Sequence, residues 1–230
     1  MNSQSEEDYL KAIYHLEMDY QSISTNSVAD YLDMKPSSVT DMLKKLADKK
    51  YINYQKYKGS SLTRKGNLIA LSIIRKHRLW ETFLVEKLGF GWDQVHLIAE
   101  QLEHIKSEEL IENLDDFLGN PKYDPHGDPI PNKEGKIEKM NQKLLVELKI
   151  QQKGIITGVK KGTASLLSYL DKEKIKLGDS IKVLEVLEFD LIFFTWSSVN
   201  LGLGSSTSIS ILFNAAINST VEIFSSLANS

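Results

Sequence analysis

The stretch SISTNSVADYLDMKPSSVTDMLKKLADKKYI, residues 22–52, decides the fold of the first part of the chain. Its first apolar residues at helical spacing are Val28, Ala29 and Leu32. Residues 33–35 then make a short turn, and Pro36 can begin a second helix because its missing N–H costs nothing at the first helical position. Two short helices joined by a tight turn are typical of a helix-turn-helix.

The second helix has one apolar side for a core and one small, polar side for a partner. The apolar side is Val39, Met42, Leu43 and Leu46, and the polar side is Ser37, Ser38, Thr40, Asp41 and Lys44. Small hydroxyl side chains let a helix approach the major groove closely and bond to base edges or phosphates. The expected DNA contacts of this helix are Ser37, Ser38 and Thr40, with Lys35 and Lys44 on phosphate.

Residues 51–63 (YINYQKYKGSSLT) alternate apolar and polar residues around a Lys-Gly-Ser turn, which predicts a β-hairpin. A helix-turn-helix followed by a hairpin is a winged helix, and Lys56 and Lys58 are expected backbone contacts. Residues 35–66 hold nine Lys or Arg against two Asp, a charge of +7 in a chain of net charge -3. A local excess of positive charge of this kind is what neutralises the phosphates of bound DNA. Winged helices also bind proteins, but charge, hydroxyls and wing together favour double-stranded DNA.

The bulk composition is ordinary for a globular chain. Of 230 residues, 41% are hydrophobic and 26% are charged, which allows one large domain or two small ones. The sequence has no cysteine, which excludes disulfides, zinc–thiolate sites and thiol nucleophiles and suits a reducing cytosol. The acidic start MNSQSEEDYL is unlike a secretory signal. We expect a cytoplasmic protein with no membrane partner.

Residues 93–105 (DQVHLIAEQLEHI) combine an apolar stripe with a polar stripe that contains no Lys or Arg. On a helix the apolar stripe is Val95, Ile98, Leu102 and Ile105, and the polar stripe is His96, Glu100, Glu103 and His104. Carboxylates and imidazoles at this spacing are the ligands that divalent metals use. A solvated helix face is the competing interpretation, although such a face usually interleaves Lys or Arg with Glu.

Two more helices follow the wing and flank this segment. Residues 68–88 predict a long helix that Gly89 closes, with His77 and Glu81 one turn apart on it. A lone histidine in that apolar setting is more often a satisfied core or interface residue. Residues 107–118 predict a helix with a Ser-Glu-Glu start. Helices this apolar exceed the needs of a winged helix, so we expect a dimerisation unit.

Polar signals mark both ends of the helical region. Residues 6–18 predict a helix with Ser5 as its N-cap, and Asp8 suits the first turn because of the helix dipole. Residues 120–132 (NPKYDPHGDPIPN) hold four of the five prolines and predict a structured loop. His126 of this loop is interpreted as a turn residue.

A small β-rich domain is expected after the loop. Residues 137–148 predict either a short amphipathic helix or a first strand, and IKLGDSIKV (175–183) is a strand–turn–strand signal. Residues 191–230 contain ten Ser and one charged side chain, Glu222, and no strand register can be derived for them. Further strands are predicted at residues 154–159, 163–171 and 179–187.

With these motifs the chain resembles the metal-dependent repressors of the diphtheria toxin repressor and manganese transport regulator group. The likeness covers roughly residues 5–190 and is carried by EDYLKAIYHL, KPSSVTDMLKKLADKKYI, KYKGSSLTRKG, RKHRLWE, VHLIAEQLEH and HGDPIP. It implies a mainly α fold with small β parts. The implied domains are a winged helix-turn-helix at residues 1–73, a helical metal-binding and dimerisation domain at 74–140, and a small β-barrel at 141–230.

The resemblance also implies two metal sites when residues are carried over one at a time. The primary site falls on Asp8, Glu100, Glu103 and His104, and the ancillary site on His77, Glu81 and His96. Iron-type members have Met and Cys where this chain has Asp8 and Glu100, whereas manganese-type members have Asp and Glu. Hard carboxylates in place of soft sulfur favour Mn²⁺ as the cofactor, with Fe²⁺ as the second expected ion.

The chain departs from the family pattern at three positions. Manganese-type members with a dinuclear site have Glu where this chain has Lys11, and a cation there argues against a second ion beside the first. The C-terminal domain of iron-type members lends a Glu and a Gln to the ancillary site. Those positions are Gly162 and Ser165 here, so water or another residue would complete that site.

The resemblance implies a metal-activated transcriptional repressor of metal-ion uptake or homeostasis that binds operator DNA as a homodimer. The residues leave a second class open, a metal-independent winged-helix regulator that senses a small organic ligand. A metalloenzyme is the third class, but the sequence shows no nucleophile–base pair or phosphate loop. An enzyme would also leave the basic segment unexplained, so we do not expect one.

Overall fold

The computed structural model describes residues 2–20, 22–55, 58–91, 94–138, 143–159, 170, 172–173, 175, 178–187, 191–197, 209–214 and 221–224. This part of the chain is mainly helical with two small sheets. The helices are α1 (Gln4–Asp19), α2 (Thr25–Leu32), α3 (Pro36–Asp48), α4 (Arg64–Leu88), α5 (Val95–Leu102) and α6 (Glu108–Phe117). The strands are β1 (Ile52–Gln55), β2 (Gly59–Leu62), β3 (Lys143–Leu144), β4 (Lys153–Val159), β5 (Ser180–Leu187), β6 (Leu191–Ser197), β7 (Ile209–Asn214) and β8 (Val221–Phe224).

The chain divides into two compact units, which are described separately. The first unit comprises Met1–Trp80, Ile98–Asn120 and Ile130–Ile137, and the second comprises Glu81–Leu97, Pro121–Pro129 and Glu138–Ser230. Among the described residues, no helix combines the length and the apolarity that crossing a bilayer requires.

The helix-turn-helix and the wing form as the sequence predicts. Asp33 ends α2 in a left-handed conformation (φ 51°), and Pro36 occupies the first turn of α3. In the wing, β1 pairs antiparallel with β2, and Gly59 (φ 103°) opens β2. The core beneath them is fully apolar and includes Leu10, Ile13, Ile23, Val28, Val39, Leu43, Leu46 and Ile52.

The first helix begins two residues earlier than the sequence predicts. The N-cap is Ser3 and the prediction of Ser5 was wrong, because Ser3 forms a complete capping box with Glu6. The Ser3 hydroxyl accepts the Glu6 N–H at 3.3 Å, and the Glu6 carboxylate accepts the Ser3 N–H at 3.0 Å. Such reciprocal bonds satisfy two helix N–H groups that would otherwise lack acceptors.

The predicted helix over residues 93–105 is shorter in the structure, because α5 ends at Leu102. Glu103 and His104 follow in a turn, and Ser107 then caps α6 through the Leu110 N–H at 3.2 Å. Position 93 lies outside the described residues. The predicted polar stripe is therefore split between a helix and a turn, which changes the directions in which its side chains point.

The proline-rich loop of the second unit is closely packed on β4. The Asp124 carboxylate accepts the backbone N–H groups of His126 at 2.8 Å and Asp128 at 2.9 Å, which is an Asx-type turn. Gly127 has φ 88°, and a Cβ there would lie 1.7 Å from the Thr157 carbonyl oxygen. Only glycine fits this position, which fixes the loop beside the strand.

The C-terminal strands of the second unit form a six-stranded antiparallel sheet in the order β3-β8-β4-β5-β6-β7. In the segment predicted as a short amphipathic helix or a first strand, residues 143–147 form a two-residue strand and a 3₁₀ helix (Leu145–Glu147). The second arm of the strand–turn–strand prediction for 175–183 agrees with β5, which starts at Ser180. Of the first arm, Ile175 lies outside any strand, and positions 176 and 177 lie outside the described residues. The predicted strand over 163–171 falls almost wholly outside the described residues, as do positions 162 and 165.

Candidate functional site

A candidate metal centre forms in the first unit, where α1 meets the turn after α5. Asp8, Glu103 and His104 each offer one ligand atom, and these atoms lie within 4.8 Å of one another. The His104 Nε2 atom is 3.0 Å from Asp8 Oδ1 and 3.7 Å from Glu103 Oε1. Two carboxylates and an imidazole are the hard oxygen and nitrogen donors that Mn²⁺ and Fe²⁺ accept.

Glu103 is the most buried acid of this centre, with 0% of its surface exposed. Its Oε1 atom accepts a bond from Lys11 at 2.6 Å, and its Oε2 atom lies 2.6 Å from His77 Nδ1. Burial alone would raise the pKa of Glu103, but the bonds from His77 and Lys11 outweigh burial and hold the pKa below its ordinary value. Glu103 is therefore an ionised carboxylate in the interior, which excludes the solvated-face interpretation for this residue.

Asp8 and Glu100 are less enclosed than Glu103. Burial is the main cause that raises the pKa of Asp8, and the nearby Glu103 and Glu100 carboxylates add to it against His104 and Lys11. Glu100 stands outside the close group of ligand atoms, and its Oε1 atom is 3.5 Å from the Lys11 ammonium. The single ammonium of Lys11 thus contacts both Glu100 and Glu103, where it neutralises part of their charge.

The imidazole of His104 has an acid at each nitrogen. Its Nδ1 atom is 2.7 Å from Glu7 Oε2, opposite the contact between Nε2 and Asp8. The other oxygen of Glu7 accepts a bond from the Lys106 ammonium. Glu7 is buried with 5% of its surface exposed, and the sequence did not single it out.

A second cluster surrounds Glu81 in the second unit. Glu81 is buried, its Oε1 atom is 3.3 Å from His96 Nδ1, and its Oε2 atom is 3.6 Å from His126 Nδ1. Ligand atoms of Glu81, Asp124 and His126 lie within 4.8 Å of one another. His126 does lie in a turn, but its interpretation as a turn residue alone missed its place in this cluster. The acid-histidine spacing of the PHGDP loop was the available sequence signal.

The predicted ancillary residues lie on α4 and α5. His77 and Glu81 lie one turn apart on α4, as predicted. His77 contacts Glu103 of the first cluster through Nδ1, whereas Glu81 contacts His96.

The predicted DNA-contacting side chains lie on the outer side of α3 and on the wing. Lys35, Ser37, Ser38, Lys44 and Lys58 are exposed, and position 56 lies outside the described residues. Thr40 is partly exposed, and its hydroxyl donates to the Pro36 carbonyl at 2.9 Å. Lys44 is 3.3 Å from Asp41, an exposed pair that water and DNA phosphates can readily replace.

Glu6, the residue before Glu7, forms ion pairs that join α1 to α3. Glu6 is 1% exposed, and its Oε1 atom is 2.6 Å from Lys49 and 3.1 Å from Lys45. Burial would raise its pKa, but bonds from Lys49, the Ser3 backbone and Lys45 outweigh burial and lower the pKa to about 2. The start of α1 therefore has charged contacts to α3 through Glu6 and to His104 of the candidate metal centre through Glu7 and Asp8.

Family models match most of the N-terminal half of the chain. Residues 1–60 match the model of the iron dependent repressor N-terminal DNA binding domain, and residues 63–132 match the iron dependent repressor metal binding and dimerisation domain. The two matched ranges contain all the predicted metal and DNA residues. The Glu81, Asp124 and His126 cluster also falls within the second range.

Relatives and solved structures agree with these matches. The chain is 43% identical over 117 residues to an HTH-type transcriptional regulator of Methanocaldococcus jannaschii, which covers 50% of this chain and 94% of the relative. It is 34% identical over 125 residues to the iron-dependent repressor IdeR of Mycobacterium tuberculosis, over 54% of each chain, so it matches about half the length of that relative.

A manganese-dependent transcriptional repressor solved in complex with manganese has the same fold as this chain. Its TM-score is 0.79 at 29% identity, and the match covers 96% of this chain and 99% of the other. The family consists of transcriptional regulators and not of enzymes. The chain belongs to the iron-dependent repressor family of metal-dependent, DNA-binding transcriptional repressors.

Proposed function

We propose that this chain represses genes of metal-ion uptake or homeostasis when Mn²⁺, or as a second choice Fe²⁺, occupies its primary site. The observation that carries the proposal is the approach of Asp8 on α1 to Glu103 and His104 beyond α5. Side chains separated by 95 residues of sequence provide a compact set of hard donors there. Carboxylate and imidazole donors without sulfur favour Mn²⁺ over metals that seek thiolate.

The primary site in this proposal consists of Asp8, Glu100, Glu103 and His104. When bound, the ion supplies positive charge that the crowded carboxylates lack. Without it, Asp8, Glu100 and Glu103 repel one another, and the Lys11 ammonium offsets part of that repulsion. Relief of the repulsion favours the position of α1 in which Asp8 stays next to His104.

The ancillary site in this proposal consists of His77, Glu81 and His96. The contact of Glu81 with His96 supports two of these residues. The proximity of Asp124 and His126 to Glu81 makes those two side chains the candidates that complete the site. They would replace the family's C-terminal ligands, whose positions are Gly162 and Ser165 in this sequence.

Metal binding is coupled to DNA binding in this proposal through α1. Asp8 and Glu7 face the metal centre, and the neighbouring Glu6 contacts Lys45 and Lys49 of α3. A stable position of α1 therefore favours one placement of the DNA-reading helix, which is a population shift. A coupling of about 1–3 kcal/mol makes operator affinity about 5–150-fold dependent on the metal.

We predict one ion in the primary site, because the Lys11 ammonium already contacts Glu100 and Glu103. Lys11→Glu is expected to raise the Mn²⁺ content by about one ion per chain, since it exchanges a cation for a ligand. Lys11→Met is the control, because it removes the charge without adding a ligand, and its Mn²⁺ content should stay at the wild-type value. Equilibrium dialysis with metal analysis measures both, and an unchanged content in Lys11→Glu contradicts the role of Lys11.

The DNA interface in this proposal consists of Ser37, Ser38 and Thr40 on bases and backbone, with Lys35, Lys44, Lys56 and Lys58 on phosphates. The exposed positions of the α3 residues and of Lys58 support it. The positive charge of residues 35–66 supplies the electrostatic part of the affinity.

Lys58→Ala is expected to weaken binding to all DNA sequences alike and to reduce the slope of log K against log salt by about one. Ser38→Ala is the contrasting variant, because a lost base contact changes the ranking of operator sequences and leaves the slope intact. Fluorescence anisotropy at several salt concentrations measures both. If Lys58→Ala weakens binding to one operator sequence only and leaves the slope of log K against log salt unchanged, the phosphate role of Lys58 is contradicted.

The assembly we propose is a cytoplasmic homodimer with domains at 1–73, 74–140 and 141–230. Exposed apolar side chains support a dimer: Leu110 and Phe117 in the first unit, and Leu88, Phe90 and Leu97 in the second. The six-stranded antiparallel sheet supports a small β-barrel as the C-terminal domain. A DNA-binding regulator acts in the compartment that holds the chromosome, which supports the cytoplasm.

A titration of Mn²⁺ and Fe²⁺, followed by operator binding, tests the proposed function. The free Mn²⁺ concentration is set with a chelator and raised until the protein is saturated. An operator affinity that rises with the free Mn²⁺ concentration supports the proposed function. An operator affinity that does not change with either metal, together with calorimetric binding of a small organic ligand, supports the competing class of metal-independent regulators.

A further inference from the structure

The imidazole of His104 can serve the metal centre in only one of its two neutral forms. A neutral imidazole has one N–H and one lone pair, and the hydrogen-bond partner of one nitrogen decides which nitrogen has the proton. Nε2 is the nitrogen that points to Asp8 and Glu103. A metal at this locus needs the lone pair on Nε2, so the proton must be on Nδ1.

Glu7 is the acid that faces Nδ1. Its Oε2 atom is 2.7 Å from Nδ1, and it stands outside the close group of Asp8, Glu103 and His104 ligand atoms. Its Oε1 atom is bonded to the Lys106 ammonium, so each oxygen of this buried carboxylate has a donor. A carboxylate has no proton to give to Nδ1 and can only accept the N–H.

The turn that carries His104 is itself held in place. Lys106 lies two residues after His104 and contacts Glu7, and the Lys76 ammonium donates to the Ile105 carbonyl at 3.4 Å. Rotation of the imidazole would therefore break the bond to Glu7.

We infer that Glu7 is a positioning residue for the metal ligand His104: it accepts the Nδ1–H and directs the Nε2 lone pair to the metal locus. This inference rests on the proposed primary site. Such hydrogen-bond partners of histidine ligands are worth about 10–100-fold in metal affinity.

The competing role for Glu7 is purely structural, as a first-turn acid that ties α1 to the turn. The variant Glu7→Gln separates the two roles, because its amide has one oxygen and one NH₂. The Lys106 ammonium requires the oxygen, so the NH₂ is left facing Nδ1 and favours the wrong imidazole form. Adding Lys106→Met removes that requirement and lets the amide turn its oxygen to Nδ1.

The experiment measures Mn²⁺ affinity by electron paramagnetic resonance of the free ion in the full chain. Two-bond ¹H–¹⁵N spectra of the metal-free protein, recorded at an alkaline pH beyond which the imidazole signals no longer move, report which His104 nitrogen is protonated. His104→Gln assigns the signal. Glu109→Gln, the same exchange on an exposed first-turn acid of α6, is the matched control and is expected to keep the wild-type affinity.

Glu7→Gln is expected to bind Mn²⁺ about 10–100-fold more weakly and to move the proton to Nε2. The double variant Glu7→Gln/Lys106→Met is expected to recover most of the affinity and the Nδ1–H form. Wild-type affinity in Glu7→Gln, or a double variant no better than the single one, overturns the role of Glu7. A wild-type chain that takes up no Mn²⁺ instead overturns the proposed primary site, while the proton position in the metal-free protein still tests the Glu7 bond.

Discussion

Asp8→Ala is expected to abolish the metal-stimulated part of operator binding, so that the about 5–150-fold stimulation falls to about one. Asp8 is the ligand of the proposed site that lies on α1, and its Oδ1 atom is 3.0 Å from His104 Nε2. Its removal leaves any ion bound to the other residues without a direct ligand from the first helix. Anisotropy of labelled operator, with Mn²⁺ and with chelator, measures the stimulation.

The control for Asp8→Ala is Asp19→Ala, which removes an exposed acid from the end of the same helix. The control is expected to keep the wild-type stimulation. Sedimentation should show the same dimer for all three proteins, because Asp8 lies outside the proposed dimer surface. An Asp8→Ala protein that responds to Mn²⁺ as the wild type does would refute the metal assignment.

Glu103→Ala is expected to abolish the same response, but it also disturbs the interior. Glu103 is fully buried and holds both Lys11 and His77 at 2.6 Å, so the variant leaves a largely buried ammonium without its main partner. Removal of one partner from a buried ion pair costs about 3–5 kcal/mol. Asp8→Ala is therefore the cleaner test of function.

Glu6→Gln is expected to lower the free energy of unfolding by about 2 kcal/mol at pH 7. The pKa of Glu6 falls from 4.5 to about 2 in the folded chain, and the difference corresponds to about 3 kcal/mol. The Lys45 and Lys49 side chains are 54% and 37% exposed, so solvent screening reduces this value. Urea unfolding of the two proteins, followed by circular dichroism, measures the difference.

The effect of Glu6→Gln should depend on pH with a defined sign. Because folding lowers the pKa of Glu6, its contribution is complete above pH 4.5 and is lost as the pH falls from 4.5 towards 2. The difference between wild type and variant should therefore shrink by about half at pH 3. Glu112→Gln removes an exposed pair with Lys133 and is expected to change stability by less than about 1 kcal/mol at either pH. A difference for Glu6→Gln that is constant with pH contradicts the buried ion pair.

The winged helix could be predicted from the sequence because local patterns determine it. Helical periods, Pro36 and the glycine of the wing each act within a few residues, and α2, the turn and α3 all lie where they were predicted. The choice of Ser3 over Ser5 as N-cap was also available from a local pattern. Ser3 is followed three residues later by Glu6, which is the capping-box spacing, whereas Ser5 is followed at that distance by Asp8.

The metal centre was predictable only in part, because its contacts join distant segments. Of the predicted primary residues Asp8, Glu100, Glu103 and His104, the ligand atoms of Asp8, Glu103 and His104 lie within 4.8 Å of one another, and Glu100 stands outside that group. The contacts of Glu7 with His104 and of Glu81 with His126 span 97 and 45 residues, and no local spacing encodes them. The C-terminal strands were not predictable for a different reason, since Ser-rich segments with one charge lack the alternation that sets a register.

Three consecutive acids on α1 have three different contacts. Glu6 pairs with Lys49 at the C-terminal end of α3, and Glu7 and Asp8 contact opposite nitrogens of the His104 imidazole. An inserted or deleted residue ahead of them would turn all three by about 100° at once. A change of length ahead of them would therefore disrupt the pairing with α3 and both contacts to His104 together, whereas the exchange of one side chain can alter either set alone.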